Sequence, residues 1–176
     1  LYEPTTQRNE VQRFGTITIG SGKAPLVLDH GRTYVVLDEQ REKAFQIAND
    51  LLSMGSEVLC VSHDHPDLMG GRWYGRRTQY IWLCDTPEES AMAPDQLSRL
   101  GRRIYDFAAR RRNAVVMLDG IEYLTTHNDF NRVQMFVEHL NDIAMETDSI
   151  MIIQTDSKSF DPRSLARLSR FAEMVV

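Results

Sequence analysis

A-V-V-M-L-D-G-I-E at residues 114–122 decides the fold. Four of its first five residues are large and apolar, and an uninterrupted apolar run of this length is a strand buried on both faces, as in a parallel sheet covered by helices. Asp119, Gly120 and Glu122 then arrive together, where that strand ends. In open α/β sheets, ligands bind outside the carboxyl ends of the strands. The carboxylates therefore fall where chemistry is expected.

Working outward, similar short runs at 34–37, 58–62, 79–84, 149–154 and 174–176 predict further strands. Helices are predicted between them. Residues 41–54 place Ala44, Phe45, Ala48, Leu51 and Leu52 on one face, and Gly55 supplies a stop. Residues 95–112 do the same with Leu97, Leu100, Ile104, Phe107 and Ala108, and residues 131–145 with Val133, Phe136, Val137, Leu140 and Ala144. Asp161-Pro162 is a cap followed by a favoured first helical residue, opening a helix through 170. Strand and helix alternate, which predicts a three-layer α/β fold with a mostly parallel sheet of five to six strands and helices on both faces. Residues 1–29 are expected to be a polar tail with a possible edge strand at 14–19, and residues 30–176 the α/β domain.

The chain has 176 residues, 42% of them hydrophobic, and a net charge of −5. That is enough for one ordinary domain, and the charge provides no general attraction to nucleic acid. No apolar run approaches the roughly 20 residues of a membrane-spanning helix, so no membrane partner is expected. The polar start lacks an apolar leader core, and both ends suggest a piece cut from a longer chain. Cys60 and Cys84 lie in apolar runs and read as two buried thiols of a cytoplasmic protein rather than a disulfide.

Gly20-Ser21-Gly22-Lys23 resembles part of a phosphate-binding loop. The full pattern requires G-x-x-x-x-G-K-[ST] between a strand and a helix. Ile17 stands in place of the first Gly, Ala24 in place of the hydroxyl residue, and Pro25 with an apolar run follows. It is read as a surface turn. The topologically correct place, between the strand at 34–37 and the following helix, carries Asp38-Glu39-Gln40-Arg41-Glu42-Lys43. Without glycine, no nest of backbone N–H groups is expected there, and three carboxylates repel a polyphosphate.

Asp119, Glu122, His127 and Asn128, with Asp64, are the candidate ligand or partner edge. The competing structural interpretation has Asp119 capping a turn, Gly120 permitting a bend, and His127 and Asn128 capping the next helix. His63, Asp64, His65 and Asp67 form a compact cluster that could offer zinc ligands from a loop, yet the spacing equally describes exposed side chains at a strand end, and neither a metal nor a cofactor is assigned. Arg72, Arg76 and Arg77, interleaved with Trp73, Tyr74 and Tyr80, form a candidate basic surface for an acidic partner. Single-stranded nucleic acid is the less favoured occupant.

The order of elements resembles the RecA/KaiC-like P-loop ATPases with the phosphate loop erased. V-L-C-V-S-H-D-H-P at 58–66 is similar to the segment where those proteins carry paired acidic catalytic residues; here Asp64 keeps a carboxylate and His65 replaces its neighbour. Residues 115–119 resemble a Walker B strand and residues 149–156 a sensor strand. More specifically, L-D-G-I-E-Y-L-T-T-H-N-D-F at 118–130 resembles the domain of unknown function 835 family, mainly archaeal and often fused to sensory modules. Gly31, Tyr34, Lys43, Ala44, Phe45 and Ile81-Trp82-Leu83 support the likeness.

The expected function is a non-catalytic regulatory or protein-interaction module in archaeal signalling, with a protein partner or fused signalling domain and possible self-association. The alternatives are a metal-dependent hydrolase using Asp64, His65, Asp119 and Glu122, and nucleic-acid binding through the arginine-rich loop.

Overall fold

The computed structural model describes residues 15–20, 25–69, 77–86 and 88–175. In chain order the elements are β1 (Thr16–Ile19), β2 (Leu26–Asp29), β3 (Arg32–Leu37), α1 (Lys43–Ser53), β4 (Glu57–Ser62), α2 (Pro66–Met69), β5 (Thr78–Leu83), β6 (Ala91–Met92), α3 (Leu97–Ala109), β7 (Ala114–Asp119), α4 (Ile121–His127), α5 (Phe130–Thr147), β8 (Ile150–Thr155), α6 (Pro162–Leu168) and β9 (Glu173–Val175). Every residue of β7 and β8 is buried. Both strands are apolar on both sides because helices cover both sides.

Seven strands form the main sheet in the order β6-β5-β4-β7-β8-β3-β9, and every neighbouring pair is parallel. The expectation of five to six strands falls one short. The addition is β6, whose two residues are too few to leave a periodic signal in the sequence. The possible edge strand at 14–19 does not join this sheet. Thr16–Ile19 pairs antiparallel with Leu26–Asp29 as a separate two-stranded sheet.

The alternation of side chains along each strand sorts the core into two layers. On one face, Ile19 and Leu28 of the small sheet join α1 (Ala44, Phe45, Ala48, Leu51) over Tyr34, Cys60 and Met117. The small sheet thus shares the core of the domain. On the other face, α3, α4 and α5 pack Leu100, Ile104, Leu124, Phe136 and Leu140 over Leu59, Val61, Leu118 and Ile153. Cys60 is buried, Cys84 is half-buried, and they do not form a disulfide. Among the described residues no helix is long and apolar enough to cross a membrane.

Local chemistry sets the helix ends. Gly55 follows α1 at φ +99°, a conformation open to glycine, and donates to the Leu52 carbonyl at 3.0 Å. Asp161 caps α6 as its sequence predicts: its carboxylate accepts the Ser164 amide at 2.9 Å and the Ser164 hydroxyl at 2.6 Å. Two expectations change. The first helix begins at Lys43 rather than 41, and residues 121–127 form a two-turn helix, α4, instead of a turn. Ile121 and Leu124 bury its inner side.

Tyr34 ties the small sheet to the large one. Its hydroxyl, on a side chain 2% exposed, accepts the Asp29 amide at 2.7 Å. Burial pushes the Tyr34 phenol above its ordinary pKa. Tyr34→Phe leaves that amide without its partner, so a loss of about 1 kcal/mol in denaturant-melt stability is expected. An unchanged midpoint would show that the bond contributes nothing.

Candidate functional site at the carboxyl edge

The strand register assembles the site. Ser62 of β4 lies beside Asp119 of β7, and Asp119 beside Gln154 of β8. Leu37 of β3 lies beside Thr155. Ser62, Asp119, Gln154 and Thr155 are each no more than 3% exposed, so a row of buried polar side chains finishes strands that are otherwise apolar. Buried polar groups must find partners. The Ser62 hydroxyl donates to Asp119 Oδ2 at 3.0 Å, and Gln154 Nε2 donates to the Asp38 carbonyl at 2.9 Å.

Arg41 completes the row from above. Its Nε donates to Asp119 Oδ1 at 3.1 Å, and its Nη2 donates both to Asp119 Oδ2 and, at 3.0 Å, to Asp64 Oδ2. This is a two-point guanidinium–carboxylate contact with a second carboxylate on the same fork. The Asp119 side chain is 3% exposed and that of Arg41 44%, so one partner is desolvated and the other keeps water. The Asp119 hydrogen bond above all raises the Arg41 pKa, and the guanidinium is charged at every accessible pH.

The turn carrying Arg41 corrects an expectation. Residues 38–43 lack glycine, yet they do fold into a concavity of amides. The Asp38 carboxylate accepts the amides of Gln40 (3.1 Å), Glu42 (2.9 Å) and Lys43 (2.8 Å). Arg41 takes the left-handed conformation, φ +59°, that glycine would ordinarily supply. That conformation costs a residue with a side chain on the order of 1–3 kcal/mol, and the guanidinium contacts to two carboxylates offset it. The amides at this helix entrance are therefore filled by the protein's own carboxylate. Those three backbone hydrogen bonds, that from Lys43 first, draw the Asp38 pKa below its ordinary value.

Glu122, on α4, accepts the Thr155 hydroxyl at 2.5 Å and the Asp156 amide at 3.1 Å through the same oxygen. Gly120 makes this possible. It sits at φ +153°, a backbone conformation that residues with a side chain rarely adopt, although an added Cβ would meet only ordinary contacts, the nearest being the His63 amide nitrogen at 3.7 Å. Tyr123 stacks on His63 with ring centroids 3.7 Å apart, and His127 meets Tyr123 edge-on at 4.5 Å. Glu39, Arg41, Asp64, Asp119, Glu122 and Gln154 are among the residues lining an open cleft of about 300 Å³.

The structure thus brings Asp64, Asp119 and Glu122 together, with His127 one ring behind Tyr123. It sets Asn128 apart. The Asn128 amide donates to the Leu124 and Pro94 carbonyls, both at 2.9 Å, and closes the end of α4. The histidines of the 63–67 cluster diverge. His63 Nδ1 donates to the Leu83 carbonyl at 2.9 Å, whereas His65 accepts the Asp67 amide at 3.2 Å and lies edge-on to Trp82. Among the described residues no three His, Cys, Asp or Glu side chains are arranged to hold a metal ion.

Arg72, Arg76, Trp73 and Tyr74 lie outside the described residues, as does most of the Gly20–Lys23 turn. Arg77 donates to the Gly55 carbonyl at 3.3 Å. Tyr80 and Trp82 are committed to the site's frame. The Tyr80 hydroxyl donates to the Asp64 carbonyl, and Trp82 Nε1 to the His63 carbonyl at 3.3 Å. Burial raises the Tyr80 pKa. Arg41, Asp38, Ser62 and Gln154 were not legible as site residues, because neither periodicity nor a motif marks them. The one available signal was an arginine and an aspartate in the loop where a phosphate cradle belongs.

Fold and edge together define a RecA/KaiC-like α/β domain. A KaiC-like protein from the archaeon Pyrococcus horikoshii superposes with a TM-score of 0.51 at 13% identity, over 76% of this chain and 66% of that one. Thermomonospora curvata EccC (ATPases 2 and 3), solved with a signal sequence peptide, superposes with a TM-score of 0.53 at 14% identity, over 93% of this chain and 33% of that one. The chain therefore spans just under two thirds of the first and a third of the second. The chain belongs to the DUF835 family, described as proteins of unknown function, which matches residues 37–171. A search of the curated proteins finds no match.

Two outcomes test the site. Arg41→Ala strips buried Asp119 of its cation and should cost about 2 kcal/mol, below the roughly 3–5 of a fully buried pair because Arg41 is half in water. Adding Asp119→Asn should return much of that loss in a double-mutant cycle; strictly additive losses would mean the pair is not coupled. For Asp38 the folded pKa is depressed, so its contribution is present above the ordinary carboxylate value and lost as pH falls through the folded value. Asp38→Ala should cost about 1 kcal/mol at neutral pH. The gap to the parent chain should close below about pH 4. A gap that persists at the acid end would refute the capping role.

Proposed function

We propose that this domain is a non-catalytic regulatory or protein-interaction module built on a RecA/KaiC-like fold. One observation carries this. The two features a nucleotide with its metal needs, a cradle of free amides and a free carboxylate at the end of the central strand, are both satisfied internally. Asp38 fills the amides and Arg41 neutralises Asp119. A phosphate entering the helix end would have to displace a bonded carboxylate, and a metal at Asp119 would have to displace a charged guanidinium.

The same two contacts weigh against a hydrolase using Asp64, His65, Asp119 and Glu122. Asp64 and Asp119 share the Arg41 fork, and His65 turns towards Trp82. The domain's partner is a protein or a fused signalling domain, or a second copy of itself, in the cytoplasm. The setting in archaeal signalling follows from the family resemblance alone.

The direct test is ATP with magnesium. No turnover above a boiled control is expected. A nucleotide that bound would raise stability by about 2.7 kcal/mol at a hundredfold excess over its dissociation constant; none is expected to bind, so the melting temperature should stay where it is. ATP hydrolysis that disappears in Asp119→Ala would overturn the proposal.

A further inference from the structure

Helix α3 is sharply two-sided. Leu97, Leu100, Ile104, Phe107 and Ala108 are buried, while Arg99, Arg102, Arg103 and Arg110 are exposed on the opposite side. Arg99, Arg103 and Arg110 fall at i, i+4 and i+11 with Arg102 alongside, so the row runs about 17 Å along one face. Residues 97–112 hold six arginines and one aspartate, a surplus of five positive charges. The whole chain carries −5, which leaves its remainder at −10. None of the four arginines makes an ion pair with a described residue, whereas Arg32, Arg41 and Arg111 each hold a carboxylate. Asp106, half-buried, is the one acid of the row, and three arginines stand within four residues of it.

The placement of these charges works against the helix itself. Arg99 stands in the first turn, at the positive end of the macrodipole, and no acidic residue accompanies it there. Arg99 and Arg103 are like charges one turn apart, an unfavourable spacing. A face that only needed to be wet would be better served by carboxylates at both positions. The neighbouring helix adds an apolar element. An added Cβ on Gly101 would stand 3.3 Å from the His139 ring, and the Tyr105 hydroxyl donates to Glu146 at 3.3 Å, so His139 and Glu146 mark the flank of α5 that meets α3. Met135, four residues before His139, shares that flank and is 68% exposed. It stands beside the end of the row that Arg99 begins.

We infer that the exposed face of α3 docks an acidic helix of a partner protein, whose carboxylates meet Arg99, Arg102, Arg103 and Arg110 while an apolar side chain covers Met135. This rests on the reading of the domain as a protein-interaction module, and it gives that module its surface and its partner's chemistry. Charge complementarity selects the occupant. The planar guanidinium fork matches a carboxylate at two points, and carboxylates repeated along one helix face meet arginines repeated the same way. A second copy packed α3 against α3 would set arginine against arginine. A nucleic acid longer than the row would run onto a surface that carries the chain's acidic surplus, and its phosphates offer Met135 nothing apolar.

The experiment is a fluorescence-anisotropy titration of the intact chain with two labelled peptides of one composition. The first is helical, with glutamates at i, i+4, i+7 and i+11 and a leucine on the flank beside them; the second is its scramble. The matched peptide should bind about tenfold tighter than the scramble, a difference of about 1.4 kcal/mol. Arg99→Glu with Arg103→Glu should abolish that preference without lowering the melting temperature of the free domain, because both changes relieve unfavourable charges. Arg163→Glu, at an exposed arginine of α6, should leave the preference intact. Met135→Ala should weaken the matched peptide and not the scramble.

Equal binding of the two peptides, or an equal effect of the α3 and Arg163 reversals, reduces the result to general charge attraction and overturns the inference. So does a lower melting temperature in the α3 double reversal, which makes the arginines structural. A single-stranded oligonucleotide that binds tighter than the matched peptide assigns the face to nucleic acid. Self-association of the chain alone, seen by sedimentation and lost in the double reversal, assigns it to a second copy; either outcome also overturns it. ATP with magnesium, run in parallel, separates the two proposals. Peptide silence without ATP turnover removes only this one, whereas turnover removes the non-catalytic reading and lets the peptide result stand by itself.

Discussion

A single guanidinium holds the carboxyl edge of this sheet together. Asp119 ends one of the two strands buried at every residue and is 3% exposed, a position where an unpaired carboxylate is strongly unfavourable. Arg41 arrives from a turn 78 residues away in sequence and meets it at two points, with Ser62 as a third donor. The same fork reaches Asp64 and so fixes the loop after β4. The left-handed turn at Arg41, closed by the Asp38 bonds to the amides of Gln40, Glu42 and Lys43, presents the guanidinium for that contact.

The parallel sheet dictates where ligands can bind but not which ones. The strand ends converge at an edge flanked by a helix entrance, which carries partial positive charge and unpaired amides. An external phosphate is one way to satisfy it. Asp38, five residues before the first residue of the helix, is another. A strand-ending carboxylate likewise needs a cation, and a metal ion or an arginine serves. In both cases the partner comes from the protein's own residues. Its outward side is then left negative and facing solvent.

The fold was largely legible in the sequence because its strands are unusually uniform. β7 and β8 are apolar at nearly every position, and α1, α3 and α5 show their inner faces at helical spacing. What escaped was short or local. β6 has two residues, too few for a period, and α4 has seven that begin immediately after a glycine and bury only Ile121 and Leu124, too few inward positions to register. The candidate site was half legible. Asp64, Asp119 and Glu122 stand out as carboxylates after apolar runs. Asn128 belongs to the same conspicuous stretch yet is turned away, because α4 places it a helix length from the edge. Tyr80, conspicuous beside arginines, proves to be a backbone clamp.

By itself, then, the amino-acid order determined the alternation of strand and helix, the parallel sheet and the strand end at which carboxylates gather, since each depends on spacing within a few neighbouring residues. Only the tertiary structure decided which groups meet there. Pairing Arg41 with Asp119, aligning Ser62, Asp119 and Gln154 in one row, and turning Asp38 back onto its own amides depend on strand order, register and one left-handed residue. Those are properties of the packed chain, and no local spacing encodes them.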